Sequence, residues 1–488
     1  MPPQPRALVF LPLLALFACE QSALEPMDPA GGIACQALKP LADRQVLVPE
    51  KTHYAYYTPD RSFLLLQTRG NPDRLIRVDL PSGDTRTVID ALTLVEPLGT
   101  SGSFLLLGTG DDASEVEVYD GTQVRPLFSG SCPWRSTPDG TRLYLDGSCV
   151  GEADSLAVID VATGTSKIVA HHAVMGPLAI TPNGQWIAYQ TGDSYSNHNR
   201  TLVVVDVAGN AYTIALAQDV SLVEFADNDL LVFQTTDPAD FPGDIRGHHP
   251  GSGDTSFLIA AKRDPGFGFP CYSHQFSPDR TRVLAVQGPA PYSIYSIPLR
   301  GGDPQLLVED WHGPSSVEQP FAFDAQSKYA VFQSQGEGEP PLYPLSVVDL
   351  QGSKPKELSP DAWFAMTPST SSVLIVESDN GRQTSRLRLT DLPTGRDRLT
   401  YASNADLAYP TVLRGDQAVL FAELDGDTRR VRFLSAKHPQ SVLLGEWNDS
   451  TCRGCSPMPV QADPTACFTV VNTDKAGNPG TRLVLLPE

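Results

Sequence analysis

Thr137-Pro138-Asp139-Gly140, followed by the apolar run 143–145 and then by Ile159-Asp160-Val161-Ala162-Thr163-Gly164, decides how this chain is read. Proline fixes φ at the first corner of a turn, aspartate bends the chain by accepting hydrogen bonds on its own side chain, and glycine tolerates the positive φ where the chain reverses. A short apolar strand after such a turn, then a strand ending in Asp and a second turn, describes consecutive antiparallel strands.

The unit recurs. Thr58-Pro59-Asp60-Arg61 precedes the apolar run 63–66, Thr181-Pro182-Asn183-Gly184 precedes 186–189, Ser277-Pro278-Asp279-Arg280 precedes 283–286, and Thr367-Pro368-Ser369-Thr370 precedes 373–376. Degenerate copies lie between them at 99–102, 225–228 and 324–327, and weaker ones begin at Leu413 and Gln461. The second half of the unit returns as Val78-Asp79-Leu80-Pro81-Ser82-Gly83, Val205-Asp206-Val207-Ala208-Gly209, Val348-Asp349-Leu350-Gln351-Gly352 and Thr390-Asp391-Leu392-Pro393-Thr394-Gly395. The starts fall about 45 residues apart, and a four-stranded unit of that length is the signature of a propeller blade.

These residues resemble the TolB-like, WD40-like (PD40-type) family, whose blades carry Ser/Thr-Pro-Asp-Gly before one strand and Val-Asp-x-x-x-Gly after the next. The resemblance covers nearly everything from residue 44 onward. It implies an all-β fold, a β-propeller of about ten four-stranded antiparallel blades over 44–488. One large ring, two tandem propellers, and eight or nine true blades with a degenerate appendage all fit the spacing. The last unit lacks a fourth strand, and an early strand at 45–48, ended by Pro49, is expected to fill that place and remove the exposed edges of an open ring.

Charged residues are 19% of the chain, against 39 Gly and 43 Pro, which suits many short strands and tight turns better than long helices. The formal net charge of -21 argues against nucleic acid as a partner. Residues 1–18 read as a signal peptide: Arg6 supplies a small positive start, an apolar run occupies 7–17, and Leu16-Phe17-Ala18-Cys19 follows. That order resembles the lipobox of bacterial lipoproteins and implies cleavage before Cys19 and lipidation of Cys19. Nothing later approaches the roughly 20 apolar residues of a membrane span. The chain is therefore expected to be tethered through 19–43 to the bacterial cell envelope. Glu20 favours the outer membrane by that resemblance, with the propeller in the periplasm or at the cell surface.

Seven further cysteines stand at 35, 132, 149, 271, 452, 455 and 467, and export makes disulfides the default. Cys132 and Cys149 flank one hairpin symmetrically and are expected to bond. Cys452-Arg453-Gly454-Cys455 sits in a Gly/Pro-rich stretch and reads as a second, structural disulfide. Cys35 offers a staple to one of the C-terminal cysteines.

There is no G-x-S-x-G elbow, no H-E-x-x-H and no P-loop, and no cofactor is expected. The adjacent pairs His171-His172 and His248-His249 would point to opposite faces of a strand and read as solvated loop residues. The stretch 235–255 reads as a lengthened loop carrying Asp237, Asp240, Asp244, His248 and His249, a candidate binding loop for a cation or a partner. The leading expectation is a noncatalytic binding or scaffold module for a protein, peptide or envelope polymer. The alternative is a propeller hydrolase or lactonase with a metal in the central channel, which would need side chains from several blades to converge.

Overall fold

A run such as Phe63-Leu64-Leu65-Leu66, apolar at every position, requires cover on both faces of its sheet. The computed structural model shows how that cover arises. It describes residues 35–487 apart from 109–114, 192–200, 207–213, 260–273, 314–319, 449–467, 474–479 and shorter stretches of one to five residues. Side chains alternate between the two faces of a strand. Accordingly Phe63 and Leu65 pack with Phe104, Leu106 and Tyr119 of the next blade, while Leu64 and Leu66 pack with Phe468, Val470 and Leu483 at the other end of the chain.

The described residues form nine four-stranded antiparallel sheets, each joining its strands in sequence order, and one two-stranded sheet. The nine are the blades of a β-propeller. Blades 1 to 9 span 52–90, 92–129, 134–171, 177–218, 220–259, 274–311, 321–359, 363–403 and 406–448. First strands of neighbouring blades touch, as in blades 3, 4 and 5. Fourth strands such as Thr85–Asp90 and Arg396–Ser403 are largely exposed, so the first strand of each blade is the innermost and the fourth the outermost.

The two-stranded sheet, Phe468–Thr473 with Gly480–Leu485, sits between blade 9 and blade 1. Val471 and Leu486 join the core of blade 9, and Phe468, Val470 and Leu483 join that of blade 1. Ten hydrophobic clusters thus straddle ten junctions, and the chain closes as one ring rather than two tandem propellers. Of the ten repeat units read from the sequence, nine are complete blades. In the tenth, the strand that the repeat would place first falls within 449–467, outside the described residues.

Closure comes from the N-terminal side, as the apolar segment ahead of Pro49 suggested. Val48 bridges Thr481 in antiparallel fashion, with Leu47 N donating to the Thr481 carbonyl at 2.7 Å and Thr481 N to the Val48 carbonyl at 2.9 Å. Asn472 Nδ2 donates to the Thr52 carbonyl at 2.9 Å, and Thr52 N donates back to its Oδ1 at 2.8 Å. Packing begins ahead of residue 44: Leu38 and Leu41, on the short helices Cys35–Leu38 and Lys39–Ala42, are each 1% exposed in the closing core. Part of the stretch expected as tether therefore belongs to the propeller.

Candidate functional site

The two ends of the strands make two unlike faces. On one lie the connections from first to second strand and from third to fourth. Here Asp139 Oδ1 accepts from Thr137 Oγ1 at 2.5 Å, Thr141 N at 3.0 Å and Thr141 Oγ1 at 2.9 Å, while Gly140 N donates to the Thr137 carbonyl at 2.8 Å. Blade 6 repeats the arrangement with Ser277, Asp279 and Thr281. In the other turn, Asp160 accepts from Thr163 N at 2.8 Å. The two turns of a blade are tied by Val161 N to the Thr141 carbonyl, and neighbouring blades by Asn183 N to Asn228 Oδ1 at 2.8 Å and Thr100 N to the Pro138 carbonyl at 3.2 Å. Burial alone would raise the Asp139 carboxyl, but hydrogen bonds from Thr137 and Thr141 hold it below its usual value, and Asp279 behaves alike. The first-to-second connections run four or five residues in every blade, for example 58–62, 137–141 and 277–281.

The opposite face carries the second-to-third connections and the links between blades. These range from 426–427 to 334–344 and from residue 91 alone to 449–467. The third-to-fourth connections of the first face vary less, from 436–437 to 207–213, so the longest connections all lie on this face.

Between the innermost strands of blades 5 and 6, Glu224 takes Arg280 Nη1 at 2.6 Å and lies 3.6 Å from His274 Nε2, with Arg280 stacked over Phe276 at 5.2 Å. Burial works to raise the Glu224 carboxyl, and its bonds to His274 and Arg280 outweigh that and hold it low. Arg280 occupies the turn position that Gly140 and Gly184 hold, with the same sign of φ (55° against 71° and 68°); Arg61 stands there in the first copy, so the arginine does not by itself mark this cluster. A second network joins blades 8 and 9. Glu423, with a side chain 4% exposed, accepts from Tyr401 at 2.5 Å, from Ser403 at 2.8 Å and from the Arg432 guanidinium, and Arg432 also donates to Ser441. A shallow cavity of about 340 Å³ lies on the tight-turn face between blades 6 and 7, lined by Arg282, Lys328, Tyr329 and Asp349 among others.

The residues singled out from sequence are dispersed. Asp244, His248 and His249 are not in a loop: they lie on the third strand of blade 5, Pro242–His249, which pairs with Leu231–Thr236 and Asp254–Ile259. The ladder overrode a local composition of Gly, Pro and Asp. Asp244 pairs with Arg246 at 3.2 Å. His249 bonds the Asp229 carbonyl at 2.9 Å. His248 is completely buried, with Nδ1 at 2.9 Å from Thr255 Oγ1 and Nε2 finding no hydrogen-bond partner among the described residues. Burial, then the neighbouring His249, pushes its pKa down against the opposing pull of Asp254. No three metal-ligating side chains converge among the described residues. Cys149 is buried in the short helix Gly147–Val150 and takes part in a disulfide. Cys19, Cys132, Cys452, Cys455, Asp237 and Asp240 lie outside the described residues. No described helix is long and apolar enough to cross a membrane.

The fold defines the class: an all-β propeller. No family model matches the chain, and no curated protein matches it. Solved structures with the same kind of fold do. A dipeptidyl peptidase 4 from Porphyromonas gingivalis is 14% identical over 80% of this chain and 66% of its own, just under two thirds of that protein's length, with a TM-score of 0.49. TolB from Acinetobacter baumannii is 14% identical over 59% of this chain and 76% of its own (TM-score 0.28). An oligogalacturonate lyase in complex with manganese is 14% identical over 91% and 93% (TM-score 0.36). At such identities the likeness concerns the fold alone.

Proposed function

We propose that this chain is an exported propeller, anchored to the bacterial envelope through lipid on Cys19, that acts as a noncatalytic binding or scaffold module for a protein, peptide or envelope polymer. The observation that carries this reading is the difference between the faces: one has first-to-second connections of four or five residues in every blade, hydrogen-bonded where described, and the other carries connections of one to nineteen residues. Loops of unequal length on a rigid scaffold are where recognition is built. The entry of the chain supports the same reading. Arg44 donates to the carbonyls of Ser82 at 2.8 Å and Gly83 at 3.2 Å, which belong to a turn of the tight face. A lipid on Cys19 would therefore draw the tight-turn face toward the membrane and leave the variable face turned away from it, available to a partner.

The test is mild crosslinking and pull-down from detergent-solubilised envelope. The wild-type protein should recover a discrete partner, and replacement of 192–200 and 260–273 by Gly-Ser linkers should lose it while thermal stability is kept. Cys19→Ala should release the protein from the membrane fraction. Recovery of the same partner after both replacements would refute the assignment of the binding surface. A stoichiometric metal ion in the purified protein would favour the channel-enzyme alternative.

A further inference from the structure

We infer that the rim of the central channel formed by Tyr54, Trp363 and Tyr409 is a binding site for the basic side chains of an extended cationic peptide; this deepens the binding-module reading above and rests on it.

The three residues stand on innermost strands at one height of the ring. Tyr54 is opposite Gln67 in blade 1 and Trp363 opposite Val376 in blade 8, each three residues before the end of its strand, at Tyr57 and Met366. Tyr409 is four residues before the end of its strand at Leu413 in blade 9, and a bulge between Ala408 and Thr411 takes up the extra residue, leaving Tyr409 opposite the same level of the second strand. A bulge re-aims a side chain. The re-aiming here costs strain, since Tyr409 has φ 50°, a region that bulky residues seldom enter. Tyr409 is 39% exposed, and Trp363, on a strand paired without a bulge, is 49% exposed. At the same level blade 2 places Val95, which is buried.

The arc is continuous, since blades 8 and 9, the closing sheet and blade 1 are consecutive in the ring. Tyr54 and Tyr409 are close enough that, after burial, Tyr409 is what raises the Tyr54 hydroxyl pKa. Tyr54 in turn lies 6.3 Å from Tyr56, ring centre to ring centre.

Charge decides what such an arc would take. Aromatic faces are negative and attract guanidinium and ammonium groups, more strongly than they attract neutral ones. The whole chain carries a formal net charge of -21, which concentrates cations and repels anions. Asp406, exposed, begins the strand that carries Tyr409, and Glu96 on the innermost strand of blade 2 acts electrostatically on Tyr56. An anionic polymer would meet repulsion at every one of these points. A run of Arg or Lys would meet π-faces flanked by carboxylates.

The test is fluorescence polarisation of labelled hexa-arginine and hexaglutamate with the full chain in detergent at physiological salt. Hexa-arginine should bind and hexaglutamate should not. The double variant Trp363→Ala with Tyr409→Ala should bind hexa-arginine about tenfold more weakly, with an unchanged far-UV circular dichroism spectrum and melting temperature, and the Phe pair at the same positions should restore most of the affinity. Equal binding by the Ala pair would overturn the inference, because attraction to net charge alone would then account for the affinity. Failure of hexa-arginine to bind a protein that still recovers an envelope partner would overturn this site and leave the binding-module reading standing; failure of both would overturn both.

Discussion

Gly140 and Gly151 have nearly the same backbone, with φ of 71° and 84°, yet they sit on opposite faces of the ring and in opposite circumstances. A β-carbon added to Gly140 would come within 2.1 Å of the Leu98 carbonyl oxygen of the neighbouring blade, whereas one added to Gly151 would meet nothing within 4 Å. The first-to-second turn that carries Gly140 is part of the junction between blades 2 and 3 and shares its packing. The stretch around Gly151 stands clear of its neighbours, although Cys149, two residues earlier in the same connection, is buried in the core between blades 2 and 3. A propeller can therefore be rigid and adaptable at once, because rigidity is delegated to one face and variation to the other.

The largest effect expected from disturbing this division is at the segment that runs from one face to the other. Removing residues 1–48 takes Leu38, Leu41, Leu47 and Val48 out of the closing core, at roughly 1.5–3 kcal/mol for each buried side chain. The total is comparable with the whole stability of a domain, about 5–15 kcal/mol. Removing only 1–34 takes none of these four side chains and is the comparison. Equal melting of the two truncations would break the account of closure.

Next comes the glycine pair itself. Gly140→Ala should cost about 4 kcal/mol, since positive φ and overlap with a neighbouring backbone add, and Gly151→Ala only about 1 kcal/mol from φ alone. Urea denaturation of the two variants measures the gap, and equal costs would show that the tight turns are not part of the junction.

Glu423→Gln should cost about 3 kcal/mol by leaving Arg432 without its carboxylate, in a network that lies between blades 8 and 9 and draws on neither set of turns. The readout is the same denaturation curve.

A smaller effect is the response to acid, which should come in two stages. His248 has a folded pKa below its unfolded one, so its neutral form contributes stability above about pH 6.5 that is lost as pH falls toward the folded value. His248→Asn should remove that first stage. Asp139 and Asp279 are also lower in the fold, so their contribution is complete above about pH 4 and disappears as pH drops through their folded values. Asp139→Asn with Asp279→Asn should flatten the second stage and leave the first. Melting temperature followed from pH 7 to pH 3 separates the two.

Much of the ring was legible in the sequence because its cause is local. Pro138 presets φ, Asp139 caps the bend, and the runs 63–66 and 283–286 are apolar throughout because a blade is buried on both faces. Even the closing segment could be read, from an apolar stretch ahead of Pro49 and a final unit short of one strand. The sites were less legible. Glu224 and His274 are fifty residues apart, and nothing near either one announces the other. Composition is a local signal and makes Asp244, His248 and His249 read as a loop, while strand pairing with Leu231 and Thr255 is not local.

By itself, then, the order of residues determined the period, the turn chemistry and the alternation that sends successive side chains to opposite neighbours, since each depends on a few adjacent positions. Only the tertiary structure decided that ten junctions close into one ring, that Tyr54, Trp363 and Tyr409 stand level around its channel, and that Glu423 and Arg432 meet. Those outcomes depend on how many twisted sheets fit around an axis and which side chains that fit brings together, a property of the assembled ring and of no segment within it.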